Sequence, residues 1–119
     1  MSKVLLDITI KNSDDIINFE SEGILDEKNN ILIYDQDKVK NTLYLNDDVL
    51  EREGRDSIIK LSFNEKNEEA SSIFLKDTDI TLNLEVSVLN VEKKEGNYRV
   101  YYIVENKERI EYEIKYKII

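Results

Sequence analysis

The chain has no cysteine. That excludes disulfides, thiolate metal sites and cysteine nucleophiles. It has no histidine either, which removes the usual general base near neutral pH and the commonest transition-metal ligand. Tryptophan and proline are absent, and glycine occurs three times in 119 residues. The abundance of Lys, Asn, Ile and Tyr beside that scarcity fits AT-rich codons. No segment is apolar for long enough to span a bilayer as a helix. Residues 1–12 do not read as a signal peptide, because their apolar run is short and Asp7 interrupts it. The expected compartment is the cytoplasm, with no metal and no cofactor.

Basic excess is also missing. The net charge is −9, from 17 Lys and Arg against 26 Asp and Glu. Nucleic acid is not an expected partner, since a phosphate-binding surface releases counterions through excess Lys and Arg. The same sign disfavours an anionic membrane face. The charge is uneven: residues 91–119 carry a net +1 and residues 1–90 a net −10. The strand pattern runs through that change, so one domain over residues 1–119 is expected.

What is present is alternation. Val4, Leu6, Ile8 and Ile10 alternate with polar residues, as do Ile17, Phe19, Ser21, Gly23 and Leu25. This period of two marks half-buried strands. Short runs follow at residues 31–35, 42–45, 49–53, 59–63 and 73–75. The longest run holds Ile80, Leu82, Leu84, Val86 and Val88, and its parity slips at Val91. A β-bulge is expected near Leu89 or Asn90. Tyr98 to Val104 and Ile110 to Ile118 complete the set. Short joints rich in Asn and Asp separate the runs, so neighbouring strands should pair as antiparallel hairpins. Residues 64–72 read as a longer hairpin loop. The fold class is all-β: an up-and-down antiparallel barrel of 8–10 strands, with the last strand pairing with the first. Closure removes the exposed edges that strands of this length would otherwise present.

Several residues are candidates for chemistry. Asp35 and Asp37, or Asp77 and Asp79, have too few partners at the right offsets for a calcium loop and read as turn aspartates. Glu20 and Glu22 lie opposite the apolar face and read as solvated. Tyr102 shares parity with Val100 and Val104 and points inward, while Tyr101, Tyr34 and Tyr44 are expected outside. Tyr102, Tyr112 and Tyr116, with Phe19, are candidate ligand-binding residues of the interior. The same rings also fit as core filling with hydroxyls at the ends of the barrel. Arg52 shares parity with Leu50. If Leu50 points inward, so does Arg52, and its fork suits a ligand carboxylate or phosphate. Val49 is apolar on the opposite parity, and on that register Arg52 pairs with a nearby Glu at the rim.

Two stretches, FESEGILDEKNNILIYDQ (residues 19–36) and TLYLNDDVLEREG (residues 42–54), resemble the YwiB-like β-barrel family of low-GC Gram-positive bacteria. Gly23 after Glu22, the Thr42-Leu43 pair, and Arg52 two residues before Gly54 carry the likeness. The resemblance implies a barrel similar to the lipocalin and calycin folds, and no particular reaction. The Gly-x-Trp feature of calycins is absent here.

Two functions are therefore expected in rank order. The first is a barrel that binds a small apolar or amphipathic anion in a cavity of a few hundred Å³. The second is a protein-interaction or structural module with a filled core. An enzyme is not expected.

Overall fold

The computed structural model describes residues 1–64 and 71–119. Its elements are eleven strands: β1 Ser2–Lys11, β2 Ile16–Asp26, β3 Ile31–Gln36, β4 Val39–Tyr44, β5 Val49–Glu53, β6 Ser57–Ser62, β7 Ser71–Leu75, β8 Ile80–Leu84, β9 Val86–Lys94, β10 Asn97–Val104 and β11 Glu108–Ile118. All pairings are antiparallel. No helix among the described residues is long and apolar enough to cross a membrane. The hairpin loop expected over residues 64–72 falls mainly on residues 65–70, outside the described residues.

Turn chemistry explains the hairpins. Asp37 and Lys38, the two residues between β3 and β4, both have positive φ, at 50° and 68°. That combination matches the twist of the flanking strands. Asp79 precedes β8 at φ 56°, and Glu105 and Asn106 join β10 to β11 at 56° and 53°. Asn and Asp tolerate this region because their short side chains bond locally to the backbone.

The strands form one sheet in the order β8-β7-β6-β5-β4-β3-β2-β1-β11-β10-β9. As expected, β11 pairs with β1, from Val4 opposite Ile118 to Lys11 opposite Glu111. The sheet curls into a nearly closed antiparallel barrel. The strand count exceeds the expected range by one because the longest apolar run is divided. Glu85 alone separates β8 from β9; the first part pairs with β7 and the second with β10. Glu85 is pinned at the junction, where its carbonyl accepts from the Glu105 N–H at 2.8 Å. The bulge lies where the parity slip puts it. Tyr101 pairs with Asn90 and Tyr102 with Val88, so Leu89 is left without a partner and is exposed.

The inward residues build a continuous core: Val4, Leu6 and Ile8 on β1, Leu32 and Tyr34 on β3, Leu43 on β4, Tyr98, Val100 and Tyr102 on β10, and Tyr112 and Ile114 on β11. Outward positions carry charge, as where Arg99 Nη2 meets Glu113 Oε2 at 2.6 Å. Burial opposes ionisation of Glu113, but hydrogen bonds from Arg99 and Asn97 outweigh it and hold the carboxyl below its usual range. One end of the barrel is plugged. There the Tyr98 hydroxyl donates to Asp48 Oδ1 at 3.1 Å, and Lys93 Nζ reaches Asp48 at 2.8 Å and the Leu45 carbonyl at 2.9 Å.

Candidate functional site

The opposite end is not plugged. The last inward residues of β1, β3 and β5 meet the first inward residues of β4 and β11 around a cavity of about 130 Å³. Ile10, Leu50, Leu61 and Ile110 supply its apolar wall, and Tyr34, Gln36, Asn41, Arg52, Tyr102 and Tyr112 its polar one. None of these ten residues is acidic. In a chain of net charge −9, the only full charge on the cavity wall is the Arg52 guanidinium.

Arg52 arrives there on the parity of Leu50, although Val49 on the other parity of β5 is buried too. Leu50 is buried, and Arg52 lies two residues further on the same face. Its cross-strand partner is Asn41 on β4. Asn41 is only 1% exposed, because it alternates with buried Leu43. Its amide is oriented from both ends: Nδ2 donates to the Val39 carbonyl at 3.2 Å, and Oδ1 accepts from Arg52 Nε at 3.1 Å. The neutral amide thus aims the guanidinium without neutralising it. Among the described residues no carboxylate lies within ion-pair distance of Arg52, and its two terminal nitrogens make no hydrogen bond. A half-buried guanidinium left in this state has lost part of its hydration without an ionic partner in return.

Three tyrosines complete the polar wall. Tyr34 and Tyr112 are 3% and 2% exposed, and their hydroxyls share a hydrogen bond of 2.6 Å. The Tyr102 ring packs on Phe63 with centroids 4.8 Å apart. Among the described residues neither its hydroxyl nor the Gln36 side chain has a hydrogen-bond partner. Burial pushes Tyr102 up to about 12, with Arg52 pulling the other way. Burial also raises Tyr34 and raises Tyr112 well above its ordinary value, again opposed by Arg52. All three phenols are therefore neutral near pH 7. The cavity offers one cation, neutral hydroxyls and two primary amides, of which Asn41 is engaged with Val39 and Arg52, and together they form a set of hydrogen-bond donors suited to an anion.

Of the residues singled out from sequence, Arg52, Tyr102 and Tyr112 come together here. Tyr116 and Phe19 do not line the cavity. Tyr116, opposite Leu6, borders an open surface groove with Gly96 and Lys115, and Phe19, opposite Ile8, packs against the core. The glutamate partner expected for Arg52 at the rim is replaced by Asn41. Tyr34 lies inside, not outside: on β3 it shares the face of buried Leu32, and its Cβ lies 3.3 Å from where a Cβ on Gly23, its cross-strand partner, would stand. Ile31 and Ile33 make both parities of β3 apolar, so alternation alone could not choose between them. Asn41 and Gln36 lie one residue beyond the strand ends read from sequence, at residues 42 and 35. The cavity is also smaller than the few hundred Å³ expected.

The class of protein is a nearly closed antiparallel β-barrel with a small cationic pocket at one end. No family model matches the chain, and no curated protein sequence matches it. Among solved structures it is similar to the crystal structure of the ywiB protein from Bacillus subtilis, with a TM-score of 0.72 and 15% identity, over 99% of this chain and 92% of that one. At that identity the likeness concerns the fold alone, and it is the fold expected from residues 19–36 and 42–54.

Proposed function

We propose that the barrel is a binding protein for a small anion, held at Arg52 in the end cavity. The observation that supports this is the state of Arg52: its Nε is fixed by buried Asn41, and its two terminal nitrogens have no partner among the described residues. A carboxylate or phosphate group suits the free side of that fork, with Tyr102 and Gln36 as further donors. A volume of about 130 Å³ admits such a group but not a drug-sized guest, whose sites run from about 300 Å³ upward. The apolar or amphipathic guest expected from the sequence is thereby reduced to its anionic head. This reading makes the chain a non-enzymatic cytoplasmic module that needs no cofactor. The rival, an interaction module, rests on Ile80 and Leu82, which are exposed on the end strand β8.

The test is titration of the protein with sodium acetate and inorganic phosphate at constant ionic strength, followed by amide chemical shifts. Saturable shifts are expected around Gln36, Asn41, Arg52 and Tyr102. Arg52→Gln should weaken binding about tenfold or more, the scale of a charge-assisted hydrogen-bonded pair. Absence of saturation, or equal binding by Arg52→Gln, overturns the proposal.

A further inference from the structure

The wall beside the cavity is unzipped. All ten pairs between β1 and β2 form, from Ser2 opposite Leu25 to Lys11 opposite Ile16. On its other side β2 pairs with β3 only from Gly23 to Asp26. Beyond Gly23, β3 continues through Asp35 and Gln36 paired to β4 alone. Residues 16–22 of β2 therefore have no strand on that side among the described residues, and all but Phe19 and Ser21 are exposed. Ser21 Oγ reaches the Asp35 carbonyl at 3.5 Å, the limit of a hydrogen bond, and marks the point where the strands part.

This edge has two unlike faces. Ile17 and Phe19 lie opposite Ile10 and Ile8, so they are on the inner face, and Ile17 is 51% exposed. Ile10 also lines the cavity. The outer face carries Glu20 and Glu22. A row of backbone donors and acceptors without partners is a template for another strand. An apolar chain would cover Ile17 and leave those groups to water, whereas the backbone of an added strand pairs with them. Arg52, which shares the cavity with Ile10, the cross-strand partner of Ile17, supplies what the end of a peptide needs.

We infer that the occupant is an extended peptide with a free C-terminal carboxylate, which adds as a strand to residues 16–22 and places that carboxylate at Arg52. Its alternate residues are apolar toward Ile17 and Phe19 and basic toward Glu20 and Glu22. This rests on the anion reading of the Arg52 cavity and names the molecule to which the anion belongs.

The probe is the peptide Lys-Val-Lys-Val-Lys-Val, made once with a free C-terminus and once amidated, with binding followed by fluorescence anisotropy and amide hydrogen exchange. The free acid should bind at least about tenfold tighter than the amide, a ratio set by the charged hydrogen bonds to Arg52. Arg52→Gln should remove that ratio. Exchange should slow within residues 16–22, a readout that capture of the charged end alone would not produce. If acetate binds in an Arg52-dependent way but the peptide binds no tighter than acetate, the strand inference fails and the anion reading stands. If acid and amide bind wild type equally, or protection appears elsewhere, the inference fails. If neither acetate nor peptide binds, both fall.

Discussion

The buried tyrosine pair offers the most direct test of how the interior is built. Tyr34 and Tyr112 come from strands 78 residues apart in sequence and meet through hydroxyls 2.6 Å apart. Replacing either with Phe keeps the ring and its packing and removes one oxygen. The hydroxyl that remains is buried and has lost its partner, a state that costs about 1–3 kcal/mol. Here the low end applies. The pair borders a cavity of about 130 Å³, and a water, whose share of liquid volume is about 30 Å³, has room to replace the missing oxygen. Tyr34→Phe and Tyr112→Phe should therefore each lose about 1–2 kcal/mol. The double variant leaves no orphan and should lose no more than about 2 kcal/mol in total, a coupling of about 1 kcal/mol. Urea unfolding followed by far-UV circular dichroism measures all four corners of the cycle, provided the slope m stays constant. Strictly additive losses, or single losses below about 0.3 kcal/mol, would refute the buried contact and return Tyr34 to the outer face.

Two further outcomes follow from the geometry. A Cβ on Gly23 would stand 2.5 Å from the Ile33 carbonyl oxygen and 2.8 Å from Leu6 Cδ1, whereas one on Gly54 would meet nothing closer than 3.8 Å. Gly23→Ala should cost about 2 kcal/mol or more in urea unfolding, because β3 backbone must move, while Gly54→Ala should stay near neutral or gain up to about 1 kcal/mol; equal effects would contradict the close approach of β2 and β3. Stability should also fall at alkaline pH. Tyr102 ionises at about 10.0 when unfolded and at about 12 when folded, so its contribution is complete below pH 10 and is lost as pH rises from 10 through 12. That loss is roughly 3 kcal/mol for this residue, with Tyr34 and Tyr112 acting in the same direction. A urea midpoint that stays flat through pH 11 would count against their burial.

Much of the architecture was legible because a half-buried strand writes its two faces into alternate residues. β11 is apolar on one parity only and β1 departs from that pattern only at Leu5, so their inward faces and Tyr112 could be read directly; Val100 and Val104 placed Tyr102 inward, and the parity slip at Val91 marked the bulge at Leu89. The site was legible in part. The two tyrosines lie on strands read in this way, but Val49 and Leu50 make both parities of β5 apolar, which left Arg52 open between two registers, and β3 is apolar on both parities, which hid Tyr34. Asn41 and Gln36 lie just beyond the strand ends read from the sequence, where a single polar residue looks the same as a turn. Tyr116 has the right parity at the wrong height: alternation sets which face a residue takes, not how far along the barrel it lies. Height comes from register against distant strands, and a single strand does not contain that information.

The two ends of the barrel show why the unpartnered cation is the feature that matters. Tyr98 and Asp48 at the plugged end have the same parts as the cavity, a buried phenol and a charge, but there Lys93 sits 2.8 Å from the carboxylate and closes the circuit. At the cavity end the chain has carboxylates to spare, 26 Asp and Glu against 17 Lys and Arg, yet Arg52 is given an amide. A Glu at position 41 would satisfy the guanidinium and leave no site for an anion. Asn41 instead orients the fork and keeps its charge free. Under the same proposal the acidic exterior would work with the pocket: a net negative surface disfavours unselective capture of anions, and that repulsion is screened by salt over about 8–10 Å. On the proposed anion reading, only an anion that reaches Arg52 would be repaid by close hydrogen bonds, and selectivity would come from this contrast between a repelling surface and one desolvated donor set.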